Sequence, residues 1–142
     1  MNKAAQYLSI VMILLLTALG VKAQKANHSS DEKGVFIGKP DILPSFKGGI
    51  VGWNKFLKRN LNTDTPIQND AADGCYISEV SFLVDEKGEI SDIKLKKGGK
   101  YGTGKEAIRM FKITPPWLPA MVKGKAVKYR TIQEVRFMVS SE

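Results

Sequence analysis

The sequence predicts an α+β domain in which a three-stranded antiparallel sheet packs two helices on one face. Two segments have helical periodicity and three have the period of two that is typical of strands, in the order helix, strand, strand, helix, strand. The composition indicates how many domains to expect. Of 142 residues, 43% are apolar and 25% are charged, as expected for one ordinary globular domain with extensions.

The first 23 residues have the features of a secretory signal peptide. Lys3 gives a positive start, residues 8–19 form an apolar run, and Ala23 ends a small-x-small cleavage site before Gln24. The alternative is an uncleaved membrane anchor, because the uncharged residues 4–21 reach the lower length limit of a spanning helix. The cleavage site favours the signal peptide.

Residues 24–43 are predicted to form a flexible leader, because they are polar and lack periodicity, and residues 44–142 are predicted to form the domain. The leader contains His28, the sole histidine of the chain. A metal site needs several converging ligands, so we expect no metal there. Cys75 is the sole cysteine, which excludes an internal disulfide. We expect it to be a small buried hydrophobe at the start of a strand.

The first predicted helix follows Gly48 and Gly49. Its apolar residues recur at helical spacing, which predicts a buried face rather than a cofactor-binding aromatic box. These residues are Ile50, Trp53, Phe56, Leu57 and Leu61.

A β-hairpin is predicted after a polar loop. Residues 75–84 are rich in strand formers, and residues 85–88 supply the turn, in which Gly88 takes the positive φ. The acidic residues of this turn lack the regular ligand spacing of a calcium loop, so they indicate a solvated turn. Val80, Phe82 and Val84 alternate on one face of the first strand, and the second strand contains Ile90, Ile93 and Leu95.

The second predicted helix follows a glycine-rich connection, residues 97–102. No Gly-Lys-Ser/Thr closes this connection, so it does not have the pattern of a phosphate-binding loop. Thr103 and Glu106 are predicted to form a capping box, which starts the helix near Gly104. Pro115 ends it. Its buried face is formed by Ala107, Ile108, Met110 and Phe111, and Trp117 just beyond is expected to cover the core.

The last predicted strand begins at Val127 and has two different faces. Its odd positions up to Val139 are mostly apolar, and its even positions are mostly charged, so one side is predicted to pack and the other to be wet. The backbone of such a strand can also lie at a sheet edge. An edge presents unpaired N–H and C=O groups, which proteins guard with Lys and Arg or use to capture an extended partner.

The charge and the scarcity of reactive side chains limit the functional classes. The net charge is +8, but an exported chain seldom meets nucleic acid, so we expect the basic residues to serve solubility, edge protection or attraction to acidic partners. One histidine, one cysteine and no convergent acids leave no nucleophile and base pair. We therefore expect neither an enzyme nor a cofactor.

Three groups of residues, in this order along the chain, are shared with a known family. They are Pro44, Phe46, Gly48, Gly49, Phe56, Leu57, Asn60 and Leu61; then Val80, Phe82, Val84, Gly88, Ile90 and Ile93; and finally Glu106, Ala107, Ile108, Pro116, Trp117, Pro119, Ala120, Gly124, Val127, Val135 and Phe137. Over residues 44–139 the chain resembles the C-terminal domain of TonB, the energy-transducing protein of the Gram-negative cell envelope, in the form common in Bacteroidetes.

The resemblance implies a periplasmic binding domain, peripheral to the membrane and linked to energised transmembrane transport. In TonB the N-terminal box of an outer-membrane transporter adds as an extended strand beside the last strand of the domain. The resemblance therefore implies that residues 123–138 dock a TonB-dependent transporter or a similar extended peptide. The partner-binding residues that it suggests are Lys125, Val127, Lys128, Tyr129, Arg130, Ile132, Glu134 and Arg136.

Departures from the family pattern leave alternatives open. The segment before Pro44 contains one proline, Pro40, and is too short to act as a stiff spacer across the periplasm. The hydrophobic segment also lacks the histidine that couples the family's anchor helix to its motor. We therefore favour a stand-alone binding domain over a minimal energy transducer anchored in the inner membrane. A small-ligand or inhibitor domain with a closed apolar pocket under Trp117, and a strand-swapped homodimer, also remain open.

Overall fold

A computed structural model describes residues 34–140 of the chain. It contains two α-helices, α1 (Gly49–Asn60) and α2 (Thr103–Lys112), and five strands. The strands are β1 (Gly74–Val84), β2 (Ile90–Lys97), β3 (Ala120–Val122), β4 (Lys125–Val127) and β5 (Tyr129–Val139). Short 3-10 turns span Ile67–Asn69 and Lys100–Gly102. The predicted signal peptide and His28 lie outside the described residues.

The main sheet has three antiparallel strands in the order β2-β1-β5, and the two helices complete the predicted α+β fold. β3 and β4 form a second, smaller antiparallel sheet that the sequence analysis did not predict. Residues 42 and 45 bridge to Met121 and Leu118, so the chain before α1 lies beside β3. Among the described residues, no helix has both the length and the apolar character that crossing a membrane requires.

An aromatic cluster fills the core between the sheet and the helices. Phe111 of α2 lies 4.7 Å from Phe82 of β1 and 5.4 Å from Trp53 of α1, measured between ring centroids. Trp117 packs edge-on against Phe82 at 5.0 Å, as expected for a residue that covers the core. Each fully buried side chain of this size stabilises the fold by roughly 1.5–3 kcal/mol. The Trp117 indole N–H is buried and has no hydrogen-bond partner among the described residues.

Helix α1 begins at Gly49, one residue earlier than predicted, and its buried face is shorter than the periodicity suggested. Trp53 is buried, and Phe56, Leu57 and Leu61 pack partly against the core. Ile50 is 66% exposed, so its assignment to the core was wrong. It lies in the first turn of the helix, where the burial of the stripe has not yet begun.

The predicted hairpin turn is confirmed, and its contacts explain its sequence. Oδ1 of Asp85 accepts hydrogen bonds from the backbone N–H groups of Lys87 and Glu89 at 2.9 and 2.8 Å. Gly88 has a φ of 86°, and its carbonyl accepts a hydrogen bond from the N–H of Trp117. The acidic cluster is thus a turn whose lead carboxylate satisfies backbone donors.

The predicted capping box between Thr103 and Glu106 is wrong, although α2 starts within one residue of the expected position. The Thr103 hydroxyl donates to the carbonyl of Lys100 and accepts from Ser78. Oε1 of Glu106 accepts the N–H of Asn62 at 2.8 Å, just after the end of α1. The carboxylate of Glu106 therefore accepts a hydrogen bond from a residue distant in sequence instead of one at the start of its own helix.

Arg109 completes a link between the two helices. Its guanidinium donates to both carboxylate oxygens of Glu106, at 2.6 and 2.7 Å, and to the carbonyl of Asn60 at 2.6 Å. The bonds from Arg109 to the Glu106 carboxylate lower the pKa of Glu106, with a smaller contribution from the N–H of Asn62. They also place a cation at the carboxyl end of α1, where a cation is favourable.

The last predicted strand is interrupted at Lys128, so β5 begins at Tyr129 rather than at Val127. Lys123 and Gly124 turn the chain between β3 and β4, both with positive φ. The prediction for Cys75 is also wrong, because Cys75 is exposed. It pairs with Met138 on the sheet face opposite the helices, at the exposed start of β1.

Candidate functional site: the outer edge of β5

Strand β5 is paired along one side over its whole length. Its eleven residues match the eleven of β1, from Tyr129 opposite Val84 to Val139 opposite Gly74, without a bulge. Among the described residues, no strand pairs with its other side, so β5 is an edge strand of the sheet. In such a strand, alternate residues direct their N–H and C=O groups away from the sheet.

The two faces of β5 differ as the alternation predicted. Val135, Phe137 and Val139 are buried on the helix side. On the other side, Ile132 is 44% and Met138 is 69% exposed. The packed face fixes the register, because a slip of one residue would turn the apolar set to solvent. The outer edge of β5 is therefore held in a defined position.

The predicted partner-binding residues are distributed over two strands. Lys125 and Val127 lie in β4, which pairs with β3. Lys128 lies between the strands, and its carbonyl accepts the N–H of Phe36 at 2.8 Å. The remaining residues lie in β5 and are Tyr129, Arg130, Ile132, Glu134 and Arg136.

The side chain of Arg130 is held within the domain. Its guanidinium donates to Ser81 of β1 at 3.3 Å and to Asp92 of β2. Lys94 forms a second ion pair with Asp92 at 2.7 Å. The hydrogen bond from Lys94, followed by the one from Arg130, and the charges of both cations lower the pKa of Asp92, whose side chain is 8% exposed.

Asp92 reaches this position because of a β-bulge. Between the pairs Leu83–Ser91 and Ser81–Lys94, β2 contains one residue more than β1. Asp92 has a φ of 46°, a left-handed conformation that Asp and Asn tolerate better than most residues. The bulge directs the carboxylate towards β5, and it thereby fixes the position of Arg130.

Glu134 and Arg136 lie on the exposed face in the middle of β5. The two form an ion pair at 2.7 Å, and the carboxylate of Glu134 raises the pKa of Arg136. Glu134 also lies directly opposite Glu79 of β1. Lys97 of β2 lies 3.8 Å from Glu79 and offsets this like-charge contact. The exposed face around the edge thus carries both signs of charge.

A groove of about 210 Å³ lies beside β5 on the helix side. Gln133 forms one wall, and the first turn of α1 forms the other. Its lining residues are Pro44, Ser45, Phe46, Gly49, Ile50, Trp53, Trp117 and Gln133. The groove is partly open to solvent, unlike the closed pocket under Trp117 expected for a small-ligand domain. Sequence analysis missed the groove because it placed Ile50 in the core.

The described residues contain no cluster of three or more His, Cys, Asp or Glu side chains that could hold a metal ion. The perturbed carboxylates, Asp92 and Glu106, are each bonded to an arginine of the domain itself. Their pKa values are lowered, so they hold protons less readily than free carboxylates. What the site presents is a row of main-chain groups beside an apolar groove.

Comparison with known proteins agrees with this architecture. Residues 77–139 match the family model described as Gram-negative bacterial TonB protein C-terminal. No curated protein matches the chain. The family consists of non-enzymatic protein-interaction domains of envelope-associated proteins, which act in the energy coupling of transport and generally interact with outer-membrane transporters. The matched segment contains β2, α2, β5 and most of β1, and over these residues the chain is similar to the TonB C-terminal domain family.

Proposed function

We propose that the domain binds an extended peptide by β-strand addition to the outer edge of β5, and that the peptide is the TonB box of an outer-membrane transporter. The observation that supports this most directly is the eleven-residue edge strand, which is paired with β1 alone among residues 34–140. A peptide added there would satisfy main-chain donors and acceptors that otherwise bond to water.

The docking region that we propose is narrower than the resemblance implied. β4 is already paired with β3, and the carbonyl of Lys128 is bonded to Phe36. We therefore place the added strand along residues 130–137, in the interior of β5. Lys125 and Val127 would lie beyond its end.

Main-chain bonds would supply much of the affinity, because several side chains of β5 are engaged within the domain. Arg130 is bonded to Asp92, and Arg136 is paired with Glu134. Neither guanidinium can bind a charged ligand without giving up an internal partner. Exposed Ile132 between them offers apolar contact on the open face.

The proposed location is the periplasm, on the basis of the envelope association of the family and the sequence features of residues 1–23. Mass spectrometry of the protein from cells tests the export step. A mature chain that begins at Gln24 is expected, and an intact first residue Met1 would instead favour the anchored alternative.

A nuclear magnetic resonance titration tests the binding mode. The ligand is a synthetic peptide with the N-terminal box sequence of a TonB-dependent transporter from the same genome. We expect the amide signals of residues 130–137 to shift, and those of β2 to remain in place. Unchanged spectra at high peptide concentration would contradict the proposal.

N-methylation of the peptide, one amide at a time, identifies the contribution of the main chain. In an added strand only every second N–H faces the neighbouring strand. Methylation should therefore abolish binding at alternate positions and leave the positions between them nearly unaffected. A profile without this period of two would show that the peptide binds by side chains alone.

A further inference from the structure

The groove beside Gln133 combines a buried aromatic floor with an exposed apolar wall. Trp53 and Trp117 are 3% and 5% exposed, whereas Ile50 on the wall is 66% exposed. An isoleucine this exposed at the rim of a groove would lose contact with water if the groove were filled. The lining contains no charged side chain, so it suits an apolar group.

The groove is lined by residues from both halves of the domain. Trp117 and Gln133 belong to the segment that matches the TonB family, but α1 and the residues before it lie outside that segment. Pro44, Ile50 and Trp53 are therefore contributions of this chain beyond the matched part. The edge of β5 and the groove meet at Gln133.

The geometry of strand addition determines what would reach the groove. Residues directly opposite each other on neighbouring strands direct their side chains to the same face of the sheet. Gln133 lies at an odd position, on the helix side of β5. The peptide residue paired with Gln133 would therefore direct its side chain to the groove, and its two neighbours would direct theirs to the open face.

We infer that this groove is a side-chain pocket that recognises one apolar residue of the added peptide, the residue opposite Gln133. The inference rests on the proposed strand addition. A volume of about 210 Å³ exceeds the roughly 150 Å³ of a cavity that holds benzene, so a leucine, isoleucine or phenylalanine side chain fits. The edge supplies affinity for any extended backbone, and the pocket selects the sequence and fixes its register.

A double-mutant cycle between peptide and protein tests the pocket. A serine scan of the box peptide should find one apolar position where substitution weakens binding by roughly ten- to one-hundred-fold. In the variant Ile50→Ser the same peptide substitution should weaken binding much less, because the apolar side chain of the peptide no longer has Ile50 to contact. Val51→Ser is the matched control, since Val51 is 75% exposed and does not line the groove.

Transfer of magnetisation from the peptide side chain to the indole protons of Trp53 and Trp117 provides an independent measurement.

Additive effects of the peptide substitution and Ile50→Ser on the binding free energy, or equal coupling with Val51→Ser, would overturn the pocket. If the pocket is overturned but the N-methylation pattern still has a period of two, the proposed strand addition remains valid without the pocket. Failure of all peptide binding would remove both proposals. If Ile50→Ser instead abolishes a dimer formed without peptide, the groove is a self-association surface and the pocket is refuted.

Discussion

The guanidinium of Arg130 on β5 crosses the central strand β1 and donates a hydrogen bond to the carboxylate of Asp92 on β2. This contact links the two outer strands of the sheet on the face that the helices do not cover. It depends on the bulge that places Asp92 in a left-handed conformation. The side chains of Arg130 and Asp92 are 27% and 8% exposed, so water screens the pair only in part.

Asp92→Asn should destabilise the domain by about 1–3 kcal/mol, because it removes the charge that Arg130 and Lys94 share and leaves both cations less well satisfied. Asparagine tolerates the left-handed conformation, so the backbone cost does not change. The free energy of unfolding in urea measures the effect. The control Glu86→Gln, in an exposed turn, should stay within about 0.5 kcal/mol. Equal losses in the two variants would contradict the role of Asp92.

The stability of the domain should fall in acid through Asp92 and Glu106. The pKa of each is lowered in the folded state, by Lys94 and Arg130 for Asp92 and by Arg109 for Glu106. Each contribution is therefore complete above the unfolded pKa values of about 3.9 and 4.3 and is lost as the pH falls through the lower folded values. Urea midpoints between pH 2 and pH 7 should show the difference between the wild type and Glu106→Gln shrinking in acid. A difference independent of pH would exclude this linkage.

Gly88→Ala should be much more destabilising than Gly124→Ala. Both glycines have positive φ, 86° and 75°, so both substitutions incur a similar backbone strain, about 1 kcal/mol. A Cβ at Gly88 would lie 1.9 Å from the carbonyl oxygen of Trp117, whereas a Cβ at Gly124 meets no atom within 4 Å. The difference in unfolding free energy isolates the steric contact between the hairpin turn and the Trp117 segment. Equal effects would mean that this contact relaxes without cost.

Cys75 should react with a thiol reagent in the native state at a rate close to that of an unfolded thiol, because it is exposed at the start of β1. A colorimetric disulfide-exchange assay at pH 8 measures the rate with and without urea. A large acceleration by urea would show that the thiol is protected in solution. The variant Cys75→Ser provides the blank.

The order of elements and the two-faced last strand could be predicted because they follow from local periodicity. The apolar stripe of α1 through Trp53 repeats over several helical turns, and the alternation of apolar and polar residues in β5 through Val135 and Phe137 repeats over several residues. Single exceptions therefore do not hide either pattern. The wet face of β5 was also accessible, because its even positions are mostly charged, whereas its edge position was only one arrangement that such a strand allows. Periodicity failed at Ile50, since it identifies a face of the helix but not where along the helix the burial begins.

The tertiary contacts could not be predicted from the sequence. Thr103 and Glu106 have capping-box spacing, but Glu106 bonds instead to Asn62, which lies far from it in sequence. The Arg130–Asp92 pair requires a bulge, and the spacing of three between Ile90 and Ile93, which breaks the period of two, does not show which side chain would reach β5. The groove requires α1, Trp117 and Gln133 to meet, and nothing in their separate segments indicates that they do.

The pairing of Gly74 with Val139 has a consequence for how the domain folds. Between these two residues the chain forms β2, α2 and the β3–β4 hairpin, so the longest ladder of the sheet closes a long loop. Loop closure of this kind slows folding more than it lowers stability. The β1–β2 hairpin can form early. One side of β1, the central strand of the complete sheet, then stays unpaired until β5 adds to it. During that interval the unpaired flank of β1 can pair with another chain, which favours aggregation.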